Sequence, residues 1–393
     1  VSLVIAACQG SPPRQAAATL SISPAGGSRD VKTSTAVTVT PAHAKVTSII
    51  VTAGGSPVQG MVSEGGTVWH SRWALHTAST YTVTATGTST SGTAVRARSS
   101  FRTLTPSATM GVHVFQGYQQ TYGVGMPIIL TFSRPVVRKA AVETALEVRT
   151  SKPVVGAWHW DGDQTVYFRP RAYWPQSTRV SFTGHFDGVQ AAPGVYGAAD
   201  LTQDFRIGPS LIATVSARTH YMKVWYRGKL LGHWPVSTGM PGHDTANGTY
   251  LTLEKGNPTR MVGNGYDLLV PYAVRFTWSG NYIHAASWSV AQQGVVNVSH
   301  GCVNVSPAHS RIYYRLARAG DPVTVTGSPV AGTWGDGWTV WFWSWGQLVR
   351  GSALDKAVVA GPDGSQFVSP SSLGPSPRSS PLRGPEPGNY YAG

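Results

Sequence analysis

Ser299-His300-Gly301-Cys302-Val303-Asn304-Val305 carries one of the two cysteines in this 393-residue chain, next to a histidine and a glycine. A second histidine, His284, lies 18 positions upstream of the cysteine. A free thiol has a pKa near ~8.5, so a nucleophilic cysteine needs a partner that favours deprotonation. A histidine can take the proton and later return it to a leaving group. A tetrahedral intermediate also needs N–H donors for its oxyanion. A cysteine that follows a glycine at a turn can offer its own N–H. Gly301 tolerates positive φ and lets a substrate come close to the backbone. His-Gly-Cys therefore suits a nucleophile turn, with His284 as acid and base. Two other readings stay open on these residues alone. Cysteine is often an inert, buried small hydrophobe. His284, His300 and Cys302 could also ligate zinc, although their spacing matches no common pattern and no fourth ligand is evident. The local sequence of papain-type proteases is absent.

The surroundings favour an extracytoplasmic setting. Hydrophobic residues make up 41% of the chain, enough for packed cores, and charged residues only 12%, low for a cytosolic enzyme. Gly, Pro, Ser and Thr are abundant and helix-like patterns scarce, so the chain reads as β-rich. A net charge of +14 favours anionic partners such as an anionic envelope. The basic residues are scattered, with no dense Lys/Arg run and no nucleic-acid motif, so nucleic acid is not an expected partner. Two cysteines allow at most one disulfide, but Cys8 has a better explanation. Val1 to Ala7 is apolar, and Ile5-Ala6-Ala7-Cys8 looks like a bacterial lipobox, whose cysteine is lipidated and whose leader is removed. The chain then starts inside a signal peptide. One such lipid anchors a protein to the outer face of a membrane without spanning it, and no stretch approaches the ~18 apolar residues of a transmembrane helix.

Residues 1–19 read as signal remnant, lipobox and tether. Short strand-like runs follow, among them Val37-Val39, Ile49-Val51 and Tyr81-Ala85, then Ile128-Phe132, Val166-Phe168 and Arg179-Phe182. Thr80 and Thr178 sit in similar settings 98 residues apart, close to the length of an immunoglobulin-like sandwich. Two such domains are expected, over 20–106 and 107–208, as spacer modules. Neither holds an intersheet cysteine pair. A boundary near Gly208-Pro209 opens a β-rich domain over 209–328. Its one good helix candidate is Pro307 to Ala319, with Ile312, Leu316 and Ala319 on one face, Pro307 in the first turn and Gly320 as a stop. Residues 329–352 form a Trp-rich subdomain, whose tryptophan density predicts packing on a neighbouring domain. From 353 to 393 the chain turns to Pro, Ser and Gly and is expected to be disordered.

At Ser299-His300-Gly301-Cys302-Val303-Asn304 the chain resembles the signature of the L,D-transpeptidases, the YkuD-type catalytic domain. Ile283-His284 followed by Ala285-Ala286-Ser287-Trp288-Ser289-Val290 resembles the segment bearing that family's catalytic histidine. The whole layout resembles the mycobacterial type. The resemblance implies a mainly β fold and an enzyme needing no cofactor or metal. Its substrates would be peptidoglycan tetrapeptide stems, donor and acceptor. Cys302 would form a thioester with the third stem residue, release D-Ala, and pass the acyl group to a diaminopimelate amine as a 3→3 cross-link. His284 would be the base and acid, oriented by the backbone carbonyl of Ala285, where relatives often have Ser. The N–H groups of Gly301 and Cys302 would form the oxyanion hole. His300, Ser299 and Asn304 would shape the pocket. Tyr266, Tyr282 and Trp288 would wall it, with Tyr266 on a lid of about 255–278. Carbapenems would acylate Cys302. The alternatives are an L,D-carboxypeptidase or endopeptidase with the same site, in which water takes the acyl group, and a non-catalytic wall-binding lipoprotein.

Overall fold

The computed structural model describes residues 17–263 and 266–375. Cys8 and the lipobox lie outside the described residues, as does the end of the tail. The chain divides into two compact units. One contains the residues up to Thr109 together with His185–Ala199; the other contains Met110–Gly184 and everything from Asp200.

The first unit is a sandwich of two four-stranded sheets. Strands Thr19–Ser23, Val37–Ala42, Val68–Ser71 and Gly60–Ser63 form one; Ser56–Pro57, Ala44–Ala53, Thr80–Ser89 and Ala94–Arg102 form the other. Alternation decides which side chains enter the core. Tyr81, Val83 and Ala85 are fully buried and meet Val37 and Val39 from the facing sheet. The expected boundaries at 106 and 107–208 miss an excursion. Residues 185–199 leave the second sandwich and pack with the first, where His185 stacks on Trp73 at 3.8 Å and Thr33 Oγ1 donates to the Gly188 carbonyl at 2.6 Å. Sequence spacing cannot reveal such a departure, because the loop is held by side-chain contacts distant in sequence.

The second unit begins with another sandwich. Its core is aromatic: Trp158 lies 5.2 Å from Phe168 on its own sheet and 5.9 Å from Phe182 on the facing one. The tail corrects an expectation. Ala357–Gly361 and Gly364–Val368 are a hairpin, not disordered chain, and Val154–Gly156 pairs with Val358–Ala360 to extend the sandwich sheet. Ala357-Val358-Val359-Ala360 is too short to stand out among glycines and prolines. An open sheet edge supplies the backbone partners that order it.

The remainder is the domain that carries Cys302. Nine strands form one sheet, in the order Gly248–Leu251, Pro322–Thr326, Leu211–Ser216, Tyr221–Tyr226, Lys229–Ser237, Val303–Val305, Tyr282–Ala285, Ala273–Arg275 and Glu254–Gly256. Helix Pro307–Leu316 has Ser306 as N-cap, its hydroxyl accepting from the His309 N–H. The predicted face is corrected: Ile312 is exposed, while Ser310 and Tyr313 are buried. The helix turns Tyr313 and the following Ala317 into the domain core instead. The Trp-rich segment packs on the second sandwich. Trp341 Nε1 donates to the Gly125 carbonyl at 2.8 Å, and the fully buried Arg169 guanidinium lies 4.3 Å above the Trp341 ring.

Candidate active site

Two adjacent parallel strands build the site. Tyr282–Ala285 pairs with Val303–Val305, with His284 opposite Asn304. Side chains alternate along each strand. Ile283, Val303 and Val305 point into the domain core, so His284 and Asn304 share the other face.

His284 is buried, and its Nδ1 lies 3.0 Å from the Ala285 carbonyl oxygen. A carbonyl only accepts, so Nδ1 carries the proton and the lone pair is on Nε2. The carbonyl that the sequence assigned to Ala285 is thus in hydrogen-bonding position. Burial pushes the His284 pKa down to about 4, against the raising effect of that carbonyl. The imidazole is neutral at pH 7, free to accept a proton.

Cys302 is a free thiol at the mouth of the Val303–Val305 strand. Its Sγ donates to the Gly280 carbonyl at 3.7 Å. Burial pushes its pKa up to about 11, opposed by the Tyr282 backbone N–H, which favours the thiolate. The resting pair is therefore thiol and imidazole, not a preformed ion pair. Iodoacetamide alkylation of the native protein should follow a pH midpoint well above the ~8.5 of a free thiol. A midpoint below pH 8 would contradict this resting state.

The turn before Cys302 is held from inside. Ser299 Oγ donates to the Cys302 carbonyl at 2.6 Å and accepts from the Gly301 N–H at 3.2 Å. The hydroxyl expected to meet substrate is thus taken up by the turn, and so is the Gly301 N–H expected in the oxyanion hole. Gly301 has φ +114°, and a Cβ there would sit 2.9 Å from Asn281 Nδ2, so the position demands glycine. The Gly301 carbonyl accepts from Asn281 Nδ2 at 2.6 Å and Thr245 Oγ1 at 2.8 Å. Neither residue was found by motif spacing. Asn281 sits in a Ser-Gly-Asn turn signal, but nothing in the sequence links Thr245 to Cys302.

The structure brings most of the other expected residues to this place. Asn304 is buried and donates through Nδ2 to Ser289 Oγ at 3.0 Å. The Trp288 ring is exposed and 5.9 Å from the His284 ring. His300 is exposed, its ring 5.3 Å from Tyr266 and 4.7 Å from His243. Tyr266 belongs to a two-stranded hairpin, Thr259–Gly263 with Tyr266–Val270, inside the expected lid. Tyr282 is half-buried beneath the Arg275 guanidinium, 5.7 Å from its ring. His284, His300 and Cys302 do not gather as metal ligands, and no three His, Cys, Asp or Glu side chains among the described residues do.

Residues 210–325 match the model of the L,D-transpeptidase catalytic domain, YkuD, and residues 28–190 match a bacterial Ig domain. L,D-transpeptidase 2 of Mycobacterium tuberculosis (strain CDC 1551 / Oshkosh) is 32% identical over 348 residues, covering 85% of this chain and 85% of that protein. The chain belongs to the L,D-transpeptidase family. L,D-transpeptidase 5 of Mycobacterium tuberculosis (strain ATCC 25618 / H37Rv) is 33% identical over 317 residues, covering 78% of this chain and 70% of that one. A solved LD transpeptidase, LdtMt1 in complex with imipenem, is 35% identical, covers 56% of this chain and all of that one, and superposes with a TM-score of 0.47. In this chain the matched residues 210–325 contain His284, Gly301 and Cys302 together.

Proposed function

We propose that the chain cross-links peptidoglycan by acyl transfer through Cys302, on the outer side of the membrane. The observation that carries this reading is the neutral, buried His284, with Nδ1–H on the Ala285 carbonyl and Nε2 unprotonated, one strand away from a free thiol. His284 Nε2 takes the Cys302 proton as sulfur attacks the carbonyl of the third stem residue. The intermediate collapses, the peptide C–N bond breaks, and the imidazolium returns the proton to the departing D-Ala amine. A thioester remains. A diaminopimelate side-chain amine attacks it, His284 receives the amine proton, and the thiol is expelled as the 3→3 amide forms. The Cys302 N–H serves as oxyanion donor. The Gly301 N–H can join it only by leaving Ser299 Oγ. Tyr282, Trp288 and Asn304 line the donor site around this pair. Carbapenems acylate the same sulfur, as the family resemblance implies.

Transfer instead of hydrolysis requires a bound amine to outcompete abundant water. Incubation with a disaccharide-tetrapeptide tests this: mass spectrometry should find cross-linked dimers and free D-Ala. Tripeptide alone would assign the carboxypeptidase reading.

The anchor is the lipid on Cys8, supported by Ile5-Ala6-Ala7-Cys8. Among the described residues, no helix is long and apolar enough to cross a membrane. The full-length protein should partition into the detergent phase, and Cys8→Ala should return it to the aqueous phase. Unchanged partitioning would refute the lipid.

A further inference from the structure

We infer that Asp336, in the Trp-rich segment, is a positioning residue for Cys302, acting through the turn Thr277-Trp278-Ser279-Gly280-Asn281. This rests on Cys302 being the nucleophile.

Asp336 reaches that turn with both carboxylate oxygens. Oδ1 accepts from the Ser279 N–H at 2.7 Å and Oδ2 from the Ser279 hydroxyl at 2.6 Å. Two short bonds to one carboxylate are charge-assisted and fix orientation as well as distance. The next carbonyl, that of Gly280, is the acceptor for the Cys302 S–H. The residue after it, Asn281, holds the Gly301 carbonyl at 2.6 Å. Asp336 thus grips a turn that touches the nucleophile on both sides, at its sulfur and at the peptide before it.

Other contacts fix the remaining parts of the turn. Arg275 donates to the Thr277 carbonyl at 2.9 Å and the Trp278 carbonyl at 2.6 Å. Thr277 Oγ1 accepts from the Asn281 N–H at 2.8 Å. The Ser279 hydroxyl also bonds within the turn, to Thr277 Oγ1 at 3.0 Å and Asn281 Oδ1 at 3.2 Å, and among the described residues Asp336 is the partner that holds Ser279 from outside it. Asp336 is itself held. Its N–H donates to the Thr333 carbonyl at 3.3 Å, and the neighbouring Gly335 N–H donates to Thr339 Oγ1 at 3.0 Å. Trp338, two residues on, packs edge-on against Trp278 at 6.1 Å and against Phe115 of the second sandwich at 4.9 Å. The segment 336–338 is therefore a strap fastened to the sandwich and closed on the nucleophile's turn. Its chemical consequence is local. With the turn gripped, the Gly280 carbonyl anchors the Cys302 sulfur in one place, from which the S–H turns to His284 Nε2 as the sulfur attacks. With the turn released, the sulfur gains water and loses its fixed line of attack. Misplacements of about 1 Å cost on the order of 100-fold in rate.

The test uses the full chain with Asp336→Ala, Asp336→Asn and Asp336→Glu, assayed by D-Ala release from disaccharide-tetrapeptide. Asp336→Ala should lower kcat about 10- to 100-fold with KM within about threefold. Asp336→Glu should recover part of the loss, and Asp336→Asn, which keeps one acceptor, should fall between. The iodoacetamide midpoint of Cys302 in Asp336→Ala should move down towards that of a free thiol, which a purely structural role would not produce. Ser279→Ala should be weaker than Asp336→Ala, and the double variant no worse than Asp336→Ala alone, because both act through one contact. The inference is overturned if Asp336→Ala, folded by circular dichroism, keeps kcat within twofold and an unchanged alkylation midpoint. It is also overturned if kcat per folded molecule is unchanged while only the melting temperature falls. Cys302→Ala, run in parallel, separates the two claims. Activity surviving that change defeats the nucleophile itself, whereas an inactive Cys302→Ala beside a normal Asp336→Ala defeats only the strap.

Discussion

Cys302→Ala should abolish both products of the tetrapeptide reaction, free D-Ala and cross-linked dimer, with a fall of roughly 10⁴–10⁶-fold, as for removal of other covalent nucleophiles. Ser299, the neighbouring hydroxyl, is bound within the turn to the Cys302 carbonyl and the Gly301 N–H. The change removes one sulfur atom, so stability should move by only about 1 kcal/mol. Loss of activity with an unchanged melting curve is therefore the expected pair of results. The same variant should form no mass adduct with a carbapenem. Dimer formation above 1% of wild type would remove Cys302 from the mechanism. The non-catalytic reading, a wall-binding lipoprotein, predicts no product from either protein.

His284→Ala should lower acylation by about 10²–10⁴-fold, the usual worth of a positioned acid and base. Here the need is acute, because burial keeps the thiol protonated, with its pKa pushed up to about 11. Without a base in the protein, only the rare thiolate can attack. The variant's residual rate should therefore climb with pH through the alkaline range, while wild type should not depend on it so steeply. A second signature concerns stability. The folded pKa of His284 is depressed, to about 4 from an ordinary 6.5. Below pH 6.5 the unfolded chain binds a proton that the folded chain refuses. Wild type should thus lose stability as pH falls from about 6.5 to 4, by on the order of 3 kcal/mol from this group. That loss should be missing in His284→Ala. Urea midpoints at pH 7 and pH 4.5 for both proteins measure it, and an identical acid shift in the two would show that the folded imidazole titrates normally.

The sequence singled out Cys302 and His284 because thiol and imidazole are uncommon residue types set in recognisable segments, and the structure places their strands side by side. Tyr282, Trp288 and Asn304 followed because they lie within four residues of one or the other. Roles were harder to read than positions. Ser299 and Gly301 look like substrate-facing groups in a linear motif, yet a three-residue turn bends their hydroxyl and N–H towards each other. Thr245 and Asn281 bond the Gly301 carbonyl from 56 and 20 residues away, and Asp336 bonds Ser279 from 57 residues away; no periodicity records such contacts. The helix face was misjudged for a similar reason. Ile312 fits an apolar stripe as well as Tyr313 does, and only the position of the sheet decides which of them is covered.

By itself the sequence determined the β-rich class, the order of sandwich, sandwich and catalytic domain, and the thiol and imidazole on which the proposed chemistry rests. These depend on alternation, composition and residue type, which are local properties of the chain. Only the tertiary structure decided that residues 185–199 pack with the first sandwich, that the hairpin at 357–368 completes the second, and that Asp336 closes on the turn beside Cys302. Each of these depends on surfaces and open backbone groups that exist only after distant segments have folded against one another.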